Sequence, residues 1–400
     1  MLSLFRSILV FSLSAVLVSC AAEPLTDIPA PPRDLKAASA KLAGATVLDV
    51  DLFKPVATIG SQCASQPLQY QTVISDKLSE ALASARTYSE AQKGVGLIVL
   101  KNGKIIHESY ADGVTAQAPT DSYSMHKSVL ALIIGIAIDE GIIRSIDDPI
   151  GQYIDEWSTD PRGKITIKQM LNMESGLILY SFSDPSGKSM ELLLAEDINA
   201  VALDHPFVDL PGDEFRYNNV NSQIAGIVLE RALKRKSNVS YTEFLEQKLW
   251  CPIGNNEAKL WLDREGGSPH YYSGLFTTPH NWARVGEVIR NMGKANGRQI
   301  VSAAWVNKMI EPSPTNPNYG LHIWLGSPHV EKRRYSQQNP LAVTHSAPYL
   351  ANDVIFFDGF GGQRVYIIPS KEITIVRTGQ INMAYDDSII VNLVLEELEG

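Results

Sequence analysis

Ten consecutive residues without a charge or polar side chain, Val129 to Ile138, follow Ser124-Met125-His126-Lys127-Ser128 and stop at Asp139-Glu140-Gly141. A run of this length with a glycine just past its end predicts a helix buried on all sides, which only a fold with a sizeable core can accommodate. Ser124 stands at the positive end of that helix, and Lys127 lies one turn on along the same face. If both point into a cleft, one turn carries an activated nucleophile and its base. The run is too short to span a bilayer and ends in two acids.

The rest of the 400-residue chain can supply the core, with 44% hydrophobic and 20% charged residues. Net charge is -9 with no long basic stretch, which argues against nucleic-acid binding. At the N-terminus, Arg6 precedes an apolar run from Ile8 to Val18 that has the shape of a secretion signal. It ends in Leu17-Val18-Ser19-Cys20, which resembles a bacterial lipobox with Cys20 as the lipidated residue. The expected organisation is a signal peptide over 1–19, a tether and wrapping segment over 20–75, and one large domain over 76–400. That predicts export to a bacterial periplasm or cell envelope, with the membrane reached through an N-terminal lipid anchor. Cys63 and Cys251 then form either a disulfide or two buried thiols.

Helical spacing of Leu78, Ala81, Leu82 and Ala85 predicts a helix over 76–92. A buried strand over 94–100, an Asn102-Gly103 turn and a second strand over 105–110 follow. Four helices are expected in the middle, at 166–173, 222–233, 241–250 and 279–292. Strands return at 354–357, 364–368 and 373–377, before a closing helix over 387–398. This order predicts an α+β fold: one antiparallel sheet assembled from both chain ends, flanked by helices, with a helical insertion.

Three short motifs carry the chemistry. Ser124-x-x-Lys127 is the chain's one Ser-x-x-Lys. Burial beside the apolar run would favour a neutral amine, lowering the lysine from about 10.4. Tyr217-x-Asn219 precedes a predicted helix, and Phe357-Asp358-Gly359-Phe360-Gly361-Gly362-Gln363 joins two late strands. Glycines beside a strand let a substrate approach backbone amides.

In this order the three motifs resemble those of the serine β-lactamase and penicillin-binding-protein superfamily, over about Gly94 to Gly379. Within it the chain is most similar to class C-type esterases and 6-aminohexanoate-dimer hydrolases. The stretches Ile165–Leu177 and Tyr319–Trp324 add to the likeness. The resemblance implies a β-lactamase/transpeptidase-like fold and a serine hydrolase that cleaves an ester or amide, in a small molecule or peptide, through an acyl-enzyme. Ser124 would be the nucleophile, Lys127 its base, Tyr217 the proton relay, and Asn219 the residue that orients Lys127. The oxyanion hole would use the amides of Ser124 and Phe360, or of Gln363 in a shifted register. Phe357, Gly359, Gly361 and Tyr180 would bind substrate. No metal or organic cofactor is implied. The competing readings are a non-catalytic binding protein of the same fold, and a D,D-peptidase or β-lactamase.

One departure stands out. Relatives that act on β-lactams or D-Ala-D-Ala open the third motif with lysine, some with histidine, whereas either register puts a phenylalanine there in this chain, Phe357 or, in the shifted one, Phe360. An apolar ring favours a neutral or hydrophobic substrate, unless Arg364, Arg377 or His126 restores the charge. Other hydrolase signatures are missing from the sequence: there is no Gly-x-Ser-x-Gly elbow and no His-Glu-x-x-His pair.

Overall fold

A computed structural model describes residues 34–181, 187–337 and 341–398. The expected signal peptide and Cys20 lie outside these residues.

Helix α1, Asp76–Ala91, is capped by the Ser75 hydroxyl and leads into strand β1, Gly94–Lys101, and strand β2, Lys104–Tyr110. Asn102 and Gly103 take positive φ at the turn between them, as the Asn-Gly pair predicts. Helix α2, His126–Asp139, follows, and every residue from His126 to Ala137 is buried. Helix α3 spans Asn219–Lys236 and helix α4 spans Pro279–Arg290. Strands β3, Ile355–Gly359, β4, Gln363–Ile368, and β5, Ile373–Gly379, precede the closing helix α5, Asp387–Glu396.

Among the described residues the main sheet has seven strands in the order Trp324–Leu325, β3, β4, β5, β1, β2, Gln69–Tyr70. The pairing of β5 with β1, Thr374 opposite Leu100, joins the two ends of the chain, as the element order predicts. Only the two-residue strand at Gln69 runs parallel to its neighbour. One face packs on α1 and α5 through Leu82, Leu97, Val99, Ile375, Ile390 and Val394. The other packs on α4 and, beyond it, on α2 and α3. The run Leu97–Leu100 in β1, and Ile373, Ile375 and Val376 in fully buried β5, fit a sheet covered on both faces.

Several boundaries differ from the sequence reading: α3 runs on to Lys236, and the helix expected over 166–173 spans Ile167–Leu171. Helix α3 begins at Asn219, three residues earlier than expected, because the Asn218 side chain caps it by accepting from the Val220 amide. The helix expected over 241–250 is α-helical to Leu245 and becomes a π-helical turn at Glu246–Trp250. Ser124 lies not in α2 itself but in a tight turn, Tyr123–Met125, leading into it.

A second sheet was not foreseen: Val56–Ile59, Ala258–Trp261, Leu275–Thr277 and Thr120–Asp121, in that order. The wrapping segment supplies its first strand. A Cys63–Cys251 disulfide pins that segment to the helical region, which resolves the alternative left open by the sequence.

Candidate active site

The turn that carries Ser124, the candidate nucleophile, is held by its neighbours. Asp121, buried, accepts from the Tyr123 amide at 2.9 Å, and Tyr123 sits at φ 47°, a left-handed conformation that costs a bulky side chain energy. Ser124 follows, and Lys127 reaches back from the first turn of α2. Its Nζ lies 3.0 Å from Ser124 Oγ, 2.8 Å from Asn219 Oδ1 and 3.1 Å from the Tyr272 carbonyl oxygen. Only 1% of Lys127 is exposed, and burial holds its amine well below the ordinary lysine value, opposed by the charge of Asp358. A neutral amine has two N–H donors and one lone pair. With Asn219 and Tyr272 taking the donors, the lone pair is left for the Ser124 hydroxyl.

Tyr217 closes the cluster. Its ring lies 4.9 Å from Lys127 Nζ, and its phenol interacts with Ser124. Burial, reinforced by Asp358, raises this phenol well above its usual range, so it stays protonated. The Tyr217 amide donates to the Tyr335 carbonyl at 2.9 Å, and its ring is boxed by Tyr335, Trp324 and Tyr319 at 5.2, 5.6 and 6.0 Å between centroids. The four motif residues Ser124, Lys127, Tyr217 and Asn219 are thus together.

The third motif lies beside the turn that carries Ser124, though not every residue of it faces the site. Gly359 ends β3 against the nucleophile turn: a Cβ there would stand 2.3 Å from the Ser122 carbonyl oxygen, so only glycine lets the strand come this close. Gly361 and Gly362 turn the chain at φ 73° and 98°. The Phe360 ring stands edge-on to Tyr123 at 6.1 Å. Among the described residues no backbone hydrogen bond uses the amide of Ser124 or Phe360, so both donors are available.

The expectation that Phe357 lines the site is corrected. Residues alternate along β3, and Phe357 is fully buried on the core side, against Trp282 at 6.2 Å. Its ring has no free face for a substrate. Tyr180 is half-buried with its ring against His205 at 5.2 Å, and does not join the cluster. The three groups that might have restored a cation are also engaged. Arg364 pairs with Asp358 and Asp387 at 2.6 and 2.8 Å, and Arg377 donates to the carbonyls of Gly362 and Gln92. His126 is buried, and burial pushes its imidazole down to about 4, so it is uncharged near neutrality.

Sequence reasoning missed three contributors. The Tyr272 carbonyl is a backbone group with no side-chain signature. Asp358 belongs with Arg333, Arg364 and Asp387 to a buried ion-pair network behind Tyr217. The aromatic box had a signal in the Tyr319–Trp324 stretch, but none for Tyr335.

Comparison with known proteins gives the family. The Beta-lactamase family model matches residues 79–384, a span that contains all three motifs. The chain belongs to this family. A 6-aminohexanoate-dimer hydrolase of Paenarthrobacter ureafaciens is 24% identical over 271 residues, 64% of this chain and 67% of that protein. Among solved structures, a Bacillus anthracis protein assigned as a 6-aminohexanoate-dimer hydrolase superposes with a TM-score of 0.69 at 19% identity, covering 88% of this chain and 92% of that one. A family VIII carboxylesterase superposes at 0.59 with 16% identity over 81% and 98%. At these identities the structural likenesses establish the fold, which is the β-lactamase/transpeptidase-like one expected. This β-lactamase-family chain therefore sits among hydrolases that include amidases, esterases and penicillin-binding-protein homologues.

Proposed function

We propose that this protein is a serine hydrolase that cleaves an ester or amide through an acyl-enzyme on Ser124. The observation that carries this reading is the buried Lys127 amine, 3.0 Å from the Ser124 hydroxyl and held by Asn219 and Tyr272, with burial favouring the uncharged form whose lone pair would face that hydroxyl. Serine is a weak nucleophile until a neighbouring base takes its proton. In this reading Lys127 removes that proton as Oγ attacks the carbonyl carbon of the substrate. The oxyanion that forms is met by the amides of Ser124 and Phe360. The proton passes through the Tyr217 phenol to the departing alcohol or amine, leaving the acyl group on Ser124. Water, deprotonated by the same base, then releases the acid and restores the enzyme.

The substrate end facing the third motif is uncharged in this proposal. Its support is the engagement of Arg364 and Arg377 and the neutrality of His126, rather than the Phe357 ring. The Cys63–Cys251 disulfide suits an oxidising compartment, which supports export, with Cys20 as the proposed anchor.

The test is hydrolysis of p-nitrophenyl esters, linear amides and nitrocefin by the parent and by Ser124→Ala, alongside fluorophosphonate labelling. The expected outcome is ester or amide turnover and labelling in the parent, and neither in the variant. Turnover retained by Ser124→Ala would overturn the mechanism. An unlabelled, inactive parent would make the protein a binding module, and nitrocefin turnover or a stable penicillin adduct would make it a β-lactamase or D,D-peptidase.

A further inference from the structure

His126 stands between the nucleophile and its base in sequence, yet takes no part in the chemistry proposed above. It is fully buried. Its Nδ1 lies 2.8 Å from the Ser273 carbonyl oxygen and 3.0 Å from that of His270. Carbonyls only accept, so Nδ1 carries the proton and donates it to both. Nε2 is then the acceptor for the Tyr241 hydroxyl at 2.8 Å. The imidazole is fixed in one tautomer and one orientation.

The two carbonyls that His126 grips bracket Tyr272, whose own carbonyl accepts from Lys127. Adjacent residues of α2 therefore hold the same short loop, His126 by its ends and Lys127 near its middle. Without the Tyr272 carbonyl, one of the two N–H groups of a neutral amine loses its anchor. The lone pair is then free to swing away from Ser124 Oγ.

We propose that His126 is a positioning residue for Lys127: by sharing its Nδ1–H between His270 and Ser273, it keeps the Tyr272 carbonyl where that carbonyl aims the lysine lone pair at Ser124. The inference rests on the serine-hydrolase reading, deepens it by one residue, and assigns His126 no contact with substrate.

The test compares p-nitrophenyl butyrate hydrolysis by the parent, His126→Ala, His126→Asn and Tyr241→Phe. In His126→Ala, kcat is expected to fall about 10- to 100-fold with KM little changed, the size of effect that a small misplacement of a catalytic group produces. His126→Asn places an amide N–H close to the position of Nδ1–H and should recover most of that loss. Tyr241→Phe removes only the Nε2 partner and should stay near the parent. Parental kcat in His126→Ala, or equal impairment of the Ala and Asn variants at native Tm, would overturn the proposal. If His126→Ala does not fold, His126→Asn decides alone, with near-parental kcat in support and near-complete loss against. Loss of hydrolysis in Ser124→Ala tests the functional reading separately. Should the parent hydrolyse no ester, the 13Cε titration of Lys127 still reports on the amine. A midpoint displaced in His126→Ala and restored in His126→Asn supports the positioning role, and an unchanged midpoint refutes it.

Discussion

Lys127 Nζ and Ser124 Oγ stand 3.0 Å apart, and among the described residues no carboxylate forms a salt bridge with that amine. A buried lysine is ordinarily paired or hydrated. Here its surroundings offer two neutral oxygens, a hydroxyl and two aromatic faces. None of these groups carries a full negative charge, and burial penalises the ammonium.

Lys127→Arg should therefore be as damaging as Lys127→Ala. A guanidinium keeps its charge at any working pH and cannot accept the serine proton. Both variants are expected to lose about 10³-fold in kcat/KM, within the range general-base catalysis supplies. Ester hydrolysis by purified variants, with Tm as a check on folding, measures it. Arginine retaining more than a tenth of the activity would contradict a neutral base.

The charge on Asp358 gives a signed pH prediction. It favours the ammonium form of Lys127, and so raises an amine that burial depresses. Asp358→Asn removes that support, the amine drops further, and the base stays available in more acidic solution. The acid limb of the kcat/KM profile should move to lower pH. The same substitution strips a partner from buried Arg333 and Arg364, so stability should fall by about 3 kcal/mol. A limb moving toward higher pH would refute the electrostatic account.

Gly359→Ala probes the contact between β3 and the nucleophile turn. The added methyl would meet the Ser122 carbonyl oxygen at 2.3 Å, so one of the two backbones must shift. A displacement of this kind beside the oxyanion amides should lower kcat by about 10²-fold. Steady-state kinetics on a soluble ester should show the loss in kcat, with KM changed less.

Reduction of the Cys63–Cys251 bridge, or replacement of both cysteines by alanine, should destabilise the protein by about 3 kcal/mol. The bridge closes a sequence separation of 188 residues and secures a strand of the second sheet. Thermal unfolding with and without reductant reads the difference directly.

The parts of this molecule legible in the sequence are those in which local pattern and final environment agree. Helix α2 was visible because residues 126–137 are buried on every side and nearly all apolar. Strands β1, β4 and β5 were visible because they are covered on both faces. The four motif residues were found because their spacing is local. What stayed hidden depends on contacts distant in sequence. The second sheet is built from strands of two to four residues with no periodicity to detect. The side on which Phe357 points depends on which residues of β3 face α4, and its identity alone suggested the opposite role. Asp358 gave no sign of its influence, because its partner Arg333 lies 25 residues away and Asp387, which shares that arginine, lies 54 residues from it.

The pairing of β5 with β1 also sets an order of events in synthesis. Strand β1 leaves the ribosome early and remains without its central neighbour until residues 373–379 have been made. Of the two amides proposed to meet an oxyanion, that of Phe360 belongs to the same late portion. A chain still lacking residues 355–379 would therefore hold Ser124 and Lys127 without Phe360 and without the strands that complete the sheet.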